Sequence, residues 1–80
     1  MQAEVVLPEL GAAPVLLSVW FADPGDHVFA GDRLVEVRVG GATFDVSAPA
    51  TGWLTEKRAL PDDPIQPGQV LGVVEVEAED

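Results

Sequence analysis

Covalent chemistry needs a nucleophile, a base or a metal ligand, and this chain holds few of each. It has one lysine, Lys57 in "LTEKRAL", one histidine, His27 in "PGDHV", and no cysteine. A lysine amine can form an amide or a Schiff base, but only where it is displayed and uncharged enough to attack. Lys57 stands beside Arg58 and reads as a surface base. His27 follows Asp26 in a Pro-Gly-Asp stretch; it reads as a solvated turn residue, with a phosphocarrier histidine as the alternative. The hydroxyls of Ser18, Thr43, Ser47, Thr51 and Thr55 lack the neighbouring base and orienting group that a nucleophilic hydroxyl requires. "PDDP" brings Asp62 and Asp63 together, but a calcium site needs more oxygen ligands at fixed spacing, and Pro and Asp are turn residues in their own right. The glycine-rich places do not open helices, so no phosphate-cradling loop is expected. No catalytic constellation emerges, and the chain is not expected to be an enzyme or to hold a metal.

The elements that position these residues are short. No stretch repeats apolar residues at spacings of 3, 4 and 7, so no α-helix of any length is expected. Short apolar or alternating runs ("AEVVL", "PVLLSVWF", "HVF", "RLVEVRV", "ATFDVSA", "GWLTEKRAL", "QVLGVVEVE") are separated by Gly- and Pro-rich punctuation such as "DPGD", "AGD", "PDDP" and "QPGQ". This pattern predicts an all-β sandwich or barrel.

In "EVRVGGATFDV" two such runs meet at Gly40-Gly41. A two-residue hairpin loop of type I′ or II′ needs φ > 0, which glycine adopts without a steric cost. Pairing outward from that turn sets Val39 against Ala42, Val37 against Phe44 and Val35 against Val46 on an apolar face. Arg38 meets Thr43 and Glu36 meets Asp45 on the other face. Arg38 is diagonal to Asp45 and is expected to offset the Glu36–Asp45 repulsion, which is worth a few tenths of a kcal/mol at about this spacing. Adjacent Trp20 and Phe21 must face opposite sides of one strand, so one is core and the other partly exposed. An exposed aromatic flanked by acids would be a contact for a partner.

The chain has 80 residues and 48% hydrophobic content, enough for one small domain with a core. A chain this short buries only roughly 60% of its unfolded surface. Fourteen acidic residues face four basic ones, for a net charge of −10. That excludes nucleic acid and anionic membrane as natural partners, since both require a basic footprint; docking to basic protein surfaces is compatible with it. No apolar run approaches the ~18 residues of a membrane-spanning helix. The N-terminal "MQAEVVLPEL" lacks the basic cluster of a secretory signal, so a cytoplasmic location is expected. The domain is expected to span 1–80 with a core of about 4–77, and the acidic "EVEAED" to form a solvated, fraying tail.

A weak internal repeat runs at an offset of 37 residues. Leu17 maps onto Leu54, Asp26 onto Asp63, Val28 onto Ile65, Gly31 onto Gly68, Leu34 onto Leu71 and Val37 onto Val74. Two similar halves suggest two small sheets packed face to face about a quasi-two-fold axis. Residues 4–40 and 41–77 form the halves, so Gly40-Gly41 joins them and the chain termini belong at the opposite end.

These segments resemble the biotinyl/lipoyl domain family, and most closely the lipoyl domains of 2-oxo acid dehydrogenase acyltransferases. "VVLPELG" (Val5 to Gly11) is similar to the family's opening; "VWFADPGDHVFAGDRLVEV" to its strand, turn and strand; "FDVSAPATGWL" to its Val-x-Ala-Pro-x-x-Gly segment; and "IQPGQVLGVVE" to its closing Pro-Gly-Gln-x-Leu. The resemblance covers about Val5 to Glu75. It implies a flattened barrel of two four-stranded antiparallel sheets with a quasi-two-fold axis.

One place departs from the family pattern. The hairpin of such carriers bears Asp-Lys-Ala, and the matching places here read Gly40, Gly41 and Ala42. Gly41 stands where the resemblance puts the lysine that takes lipoate or biotin, and glycine offers no amine. Arg38 and Val39 also replace the acid and threonine that often precede that lysine. No covalent cofactor is therefore expected. The reading is a lipoyl-like domain that works as a protein-interaction or scaffold module, with a multi-enzyme complex subunit among its partners and Glu36, Arg38 and Asp45 as a candidate partner surface. The alternatives are a lipoyl carrier domain of an acyltransferase-type complex, favoured by the extent of the match, and a phosphotransfer domain using His27.

Overall fold

The computed structural model describes residues 1–11 and 14–78. It contains eight strands and no helix among them: β1 (Gln2–Val6), β2 (Val15–Trp20), β3 (His27–Val28), β4 (Arg33–Val39), β5 (Ala42–Ser47), β6 (Gly52–Lys57), β7 (Pro64–Ile65) and β8 (Val70–Val76). They form two four-stranded antiparallel sheets in the orders β1-β8-β6-β3 and β5-β4-β2-β7. The all-β expectation and the implied two-sheet architecture both hold.

The repeat seen in the sequence is a structural two-fold. Strands β2, β3 and β4 map onto β6, β7 and β8 at the offset of 37, and β1 maps onto β5 in the opposite sheet. The hydrogen bonds repeat with the strands. Phe21 N–H donates to Leu34 O at 2.8 Å, and Arg58 N–H to Leu71 O at 2.8 Å. Leu54 N–H donates to Asp26 O, and Leu17 N–H to Asp63 O, each at 3.0 Å. The turn clamps repeat as well: Asp26 Oδ2 accepts the Asp23 N–H at 2.8 Å, and Asp63 Oδ2 accepts the Leu60 N–H at 2.9 Å. Even the irregularities match, with register shifts at Leu17/Val19 and at Leu54/Glu56.

Alternation turns Val15 and Leu17, Gly52 and Leu54, and Val35 and Val37 inward, while β4 and β8 also bury neighbouring residues, Leu34 beside Val35 and Leu71 to Val74 in a row. Leu17, Leu34, Val37, Leu54, Leu71 and Val74 are completely buried, and all six are repeat positions. Val5, Leu7, Val15, Val28, Val35, Val46, Ala48, Ala59, Ile65 and Val73 are buried with them, and among the described residues no polar or charged side chain is buried. Burial of this kind contributes about 25 cal/mol per Å² of apolar surface removed from water and is the main term opposing chain entropy.

Three local features differ from expectation. β7 lies in the Pro- and Asp-rich punctuation; a two-residue edge strand beginning with proline carries no alternation to detect, and edges are where proline is tolerated. β3 falls in the expected run "HVF", so His27, also read as a turn residue, sits instead in this edge strand, paired with Trp53 of β6. The acidic tail is not wholly free: Glu75 and Val76 belong to β8, and the Glu77 N–H donates to Thr51 O at 2.9 Å. Its last two residues lie outside the described residues.

Candidate functional site

The β4–β5 hairpin pairs as the sequence requires: Val39 with Ala42, Arg38 with Thr43, Val37 with Phe44, Glu36 with Asp45 and Val35 with Val46. At the tip Gly40 has φ +61°, while Gly41 lies outside the left-handed region. A positive φ at the first central residue alone is the type II′ pattern. Only Gly40 is therefore required by the backbone. A Cβ built on Gly41 would meet no atom within 4 Å, so a side chain there would stand free in solvent.

The hairpin foot, not its tip, is near the termini. From Ser47 the chain runs through Ala48 to Gly52, and Gly52 pairs with Val76. The Val76 N–H donates to Met1 O at 2.8 Å. In a molecule 43 Å long and at most 20 Å across, this puts the tip at the far end, as the repeat implied.

Next to the tip the apolar face of the hairpin opens to solvent. Val35, Val37 and Val46 are buried, but Phe44 is 45% exposed. Phe44, Val39 and Ala42 join Thr43 and Leu10 around a shallow groove of about 210 Å³. Leu10 comes from the β1–β2 connection, and its place in "PELG" carries no periodic signal that would have marked it in sequence.

The only lysine is not displayed. Lys57 lies at the end of β6, in the sheet that does not contain the hairpin. Its Nζ is 2.7 Å from Asp23 Oδ1 and 5.6 Å from the centre of the Trp20 ring, and its side chain is 19% exposed. The ammonium is thus a paired cation, set between a carboxylate and an indole.

The three candidate surface residues do not form one unit. Asp45 is reached by Arg33 at 3.7 Å, and Arg38 turns away to Asp62 at 3.1 Å. The diagonal Arg38–Asp45 pair expected from the strand pattern is replaced by these two contacts, because the 60–63 loop brings Asp62 closer. Glu36 and Asp45 remain directly opposite.

His27 is flanked by two rings: Phe29 at 4.9 Å and Trp53 at 5.1 Å, both edge-on, while its Nε2 lies 3.1 Å from Glu77 Oε1. Trp20 packs on the core and donates its indole N–H to Ala59 O at 2.8 Å, whereas Phe21 is 42% exposed. Among the described residues, no group of three or more His, Cys, Asp or Glu is placed to share a metal ion. Among those residues, too, no helix is long and apolar enough to cross a membrane.

Known proteins match this chain along nearly its whole length. The family model for biotin/lipoyl domains, described as "Biotin-requiring enzyme", matches residues 3–77. The dihydrolipoyllysine-residue succinyltransferase component of the 2-oxoglutarate dehydrogenase complex of Bacillus subtilis is 28% identical over 74 residues, 90% of this chain. The corresponding component from Bartonella vinsonii is 32% identical over 80 residues, 98% of the chain. The dihydrolipoyllysine-residue acetyltransferase component of the acetoin cleaving system of Pseudomonas putida is 34% identical over 65 residues, 80% of the chain. The chain spans about a fifth of the length of these relatives, 18% to 20%. The solution structure of the lipoyl domain of the 2-oxoglutarate dehydrogenase complex from Azotobacter vinelandii superposes with a TM-score of 0.69. It covers 96% of this chain and 99% of that one at 20% identity, a likeness of fold.

Proposed function

The chain belongs to the biotin/lipoyl family, and on that premise we propose that it is a lipoyl-type domain that carries no cofactor and acts as a protein-interaction or scaffold module. The observation that carries this reading is the hairpin tip, Gly40-Gly41, where carriers of this type present a lysine. Attachment of lipoate or biotin is an amide bond to a side-chain amine, and the tip holds none. Lys57, the single alternative, is held by Asp23 under partial cover.

The rest of the scaffold supports a role that uses the fold itself. The sheets, the clamped turns and the core are complete in both halves, and nothing in the tip strains the hairpin. The relatives are, by name, components of 2-oxoglutarate dehydrogenase complexes and of an acetoin cleaving system, which supports a partner within an assembly of that kind. The groove beside the tip, lined by Leu10, Val39 and Phe44, gives that end an apolar contact surface without any arm.

The alternative, a lipoyl carrier domain of an acyltransferase-type complex, draws its support from the near full-length match. Intact-mass measurement of the chain co-expressed with lipoate and biotin ligases separates the two. The interaction reading expects the unmodified mass; an added lipoyl or biotinyl group supports the carrier.

A further inference from the structure

Two aromatic rings of this protein, the exposed Phe21 and the partly buried Trp20, each hold one of its own cations together with a carboxylate. Arg33 lies 4.5 Å over the Phe21 ring and 3.7 Å from Asp45. Lys57 lies 5.6 Å over Trp20 and 2.7 Å from Asp23. A cation between a π-face and a carboxylate gains from both.

A third aromatic–acid cluster lies at the end that holds the termini. Phe29 is 58% exposed and Trp53 41% exposed, with His27 between them. Trp53 is the direct cross-strand neighbour of Glu75, and Glu77 reaches His27 at 3.1 Å. Glu75 Oε1 also accepts from the Met1 amine at 3.3 Å, yet both glutamate side chains remain more than two-fifths exposed. No lysine or arginine covers these rings. All four are engaged elsewhere: Arg33 and Lys57 as above, Arg38 on Asp62, and Arg58 on Glu56.

The two-fold shows that the fold does not require aromatics here. The places equivalent to His27, Phe29, Trp53, Glu75 and Glu77 at the offset of 37 hold Pro64, Gln66, Leu16, Arg38 and Gly40. The same backbone is built there without an aromatic ring or an acid, and with Arg38 in the place of Glu75. Core positions keep their apolar character across the repeat, whereas this cluster breaks it on the surface.

We propose that the Phe29–Trp53 face, with Glu75 and Glu77, is a docking surface for an arginine-bearing basic segment of a partner protein. The guanidinium stacks on a ring and pairs with a glutamate, much as Arg33 lies over Phe21 beside the Asp45 carboxylate. A second copy of this chain does not fit, since two molecules of net charge −10 would bring like charges together. The proposal shares with the interaction reading only the premise that the chain binds protein. It uses the end opposite the hairpin tip and does not depend on what Gly41 carries.

The test is a titration of the isotope-labelled chain with the acetylated, amidated peptide Gly-Arg-Gly-Arg-Gly, followed by amide and indole shifts. The lysine and glutamate versions of the peptide serve as comparators. The expected result is saturable movement of the Trp53 indole N–H and the amides around His27, Phe29 and Glu77, stronger for arginine than lysine and absent for glutamate. Trp53→Ala should weaken binding by roughly 3- to 10-fold, the size of a partly exposed cation–π contact. The shape-conserving Glu75→Gln/Glu77→Gln pair should weaken it too, with no change in thermal unfolding beyond a few degrees. Shifts scattered over carboxylates on every face, shifts centred on the tip, or full binding by Trp53→Ala would overturn the proposal. Unmodified mass with no binding at Trp53 rejects this surface and leaves the tip reading standing; a lipoyl or biotinyl addition to the chain together with binding at Trp53 does the reverse.

Discussion

Gly25 and Asp62 occupy the same place in the two halves of the molecule and are held by the same bond. The Gly25 N–H donates to Leu54 O at 2.7 Å, and the Asp62 N–H to Leu17 O at 2.8 Å. Both lie in the left-handed region, at φ 99° and 72°, and Asp62 is the one non-glycine residue there among those described. Asp tolerates this conformation better than most side chains but not without cost.

The two substitutions that exchange these residue types should therefore differ. Gly25→Ala forces a Cβ into a positive φ and should lower stability by about 1–2 kcal/mol. Asp62→Gly removes that strain while giving up an exposed pair with Arg38, and should fall within about 1 kcal/mol of the parent. Urea unfolding followed by tryptophan fluorescence measures both; equal losses would contradict the assignment of strain.

The core should respond symmetrically. Leu34 and Leu71 are both fully buried and two-fold related. Leu34→Ala and Leu71→Ala should each cost about 2–5 kcal/mol, comparable to the whole stability of a domain this small. Thermal unfolding should show both variants largely unfolded or melting far below the parent. A large loss from one and not the other would mean that the halves are not energetically equivalent.

Gly52 is fixed by packing rather than by a turn. A Cβ there would collide with the backbone carbonyl of Glu75 on the neighbouring strand. Gly52→Ala should cost about 1–3 kcal/mol or more through overpacking and loss of pairing with Val76. Gly41→Ala, with nothing within 4 Å, should cost well under about 1 kcal/mol. Differential scanning calorimetry of the two variants reads this contrast directly.

Much of this arrangement is visible in the residues. The hairpin register follows from the two glycines and the alternation on either side, since a one-residue slip would turn Val35 and Val37 to solvent. The repeat locates the tip at the far end from the termini because the core leucines and turn residues recur at one spacing. Other features had no local signal. β7 hides in "PDDPI" because two residues cannot display alternation. The His27 environment depends on β3 lying beside β6, a contact between residues far apart in the chain. Arg38 finds Asp62, not Asp45, through a loop whose position only the tertiary fold determines.

The tip should accept a side chain. Gly41→Lys with Gly40→Asp places an amine on a hairpin whose second central residue is free of steric contact and of positive φ. The only expected cost is Asp at φ near +61°, about 1 kcal/mol. Mass measurement after co-expression with a lipoate ligase should show lipoylation of the double variant. A folded but unmodified double variant would mean that the flanking Arg38 and Val39 have also removed ligase recognition.

The most direct test is the intact mass of the unaltered chain after co-expression with lipoate and biotin ligases, with lipoate and biotin supplied. A carrier fold with glycine at the tip and its one lysine tied to Asp23 should return only the unmodified mass. A lipoyl or biotinyl addition, on Lys57 or on any other amine, would contradict it.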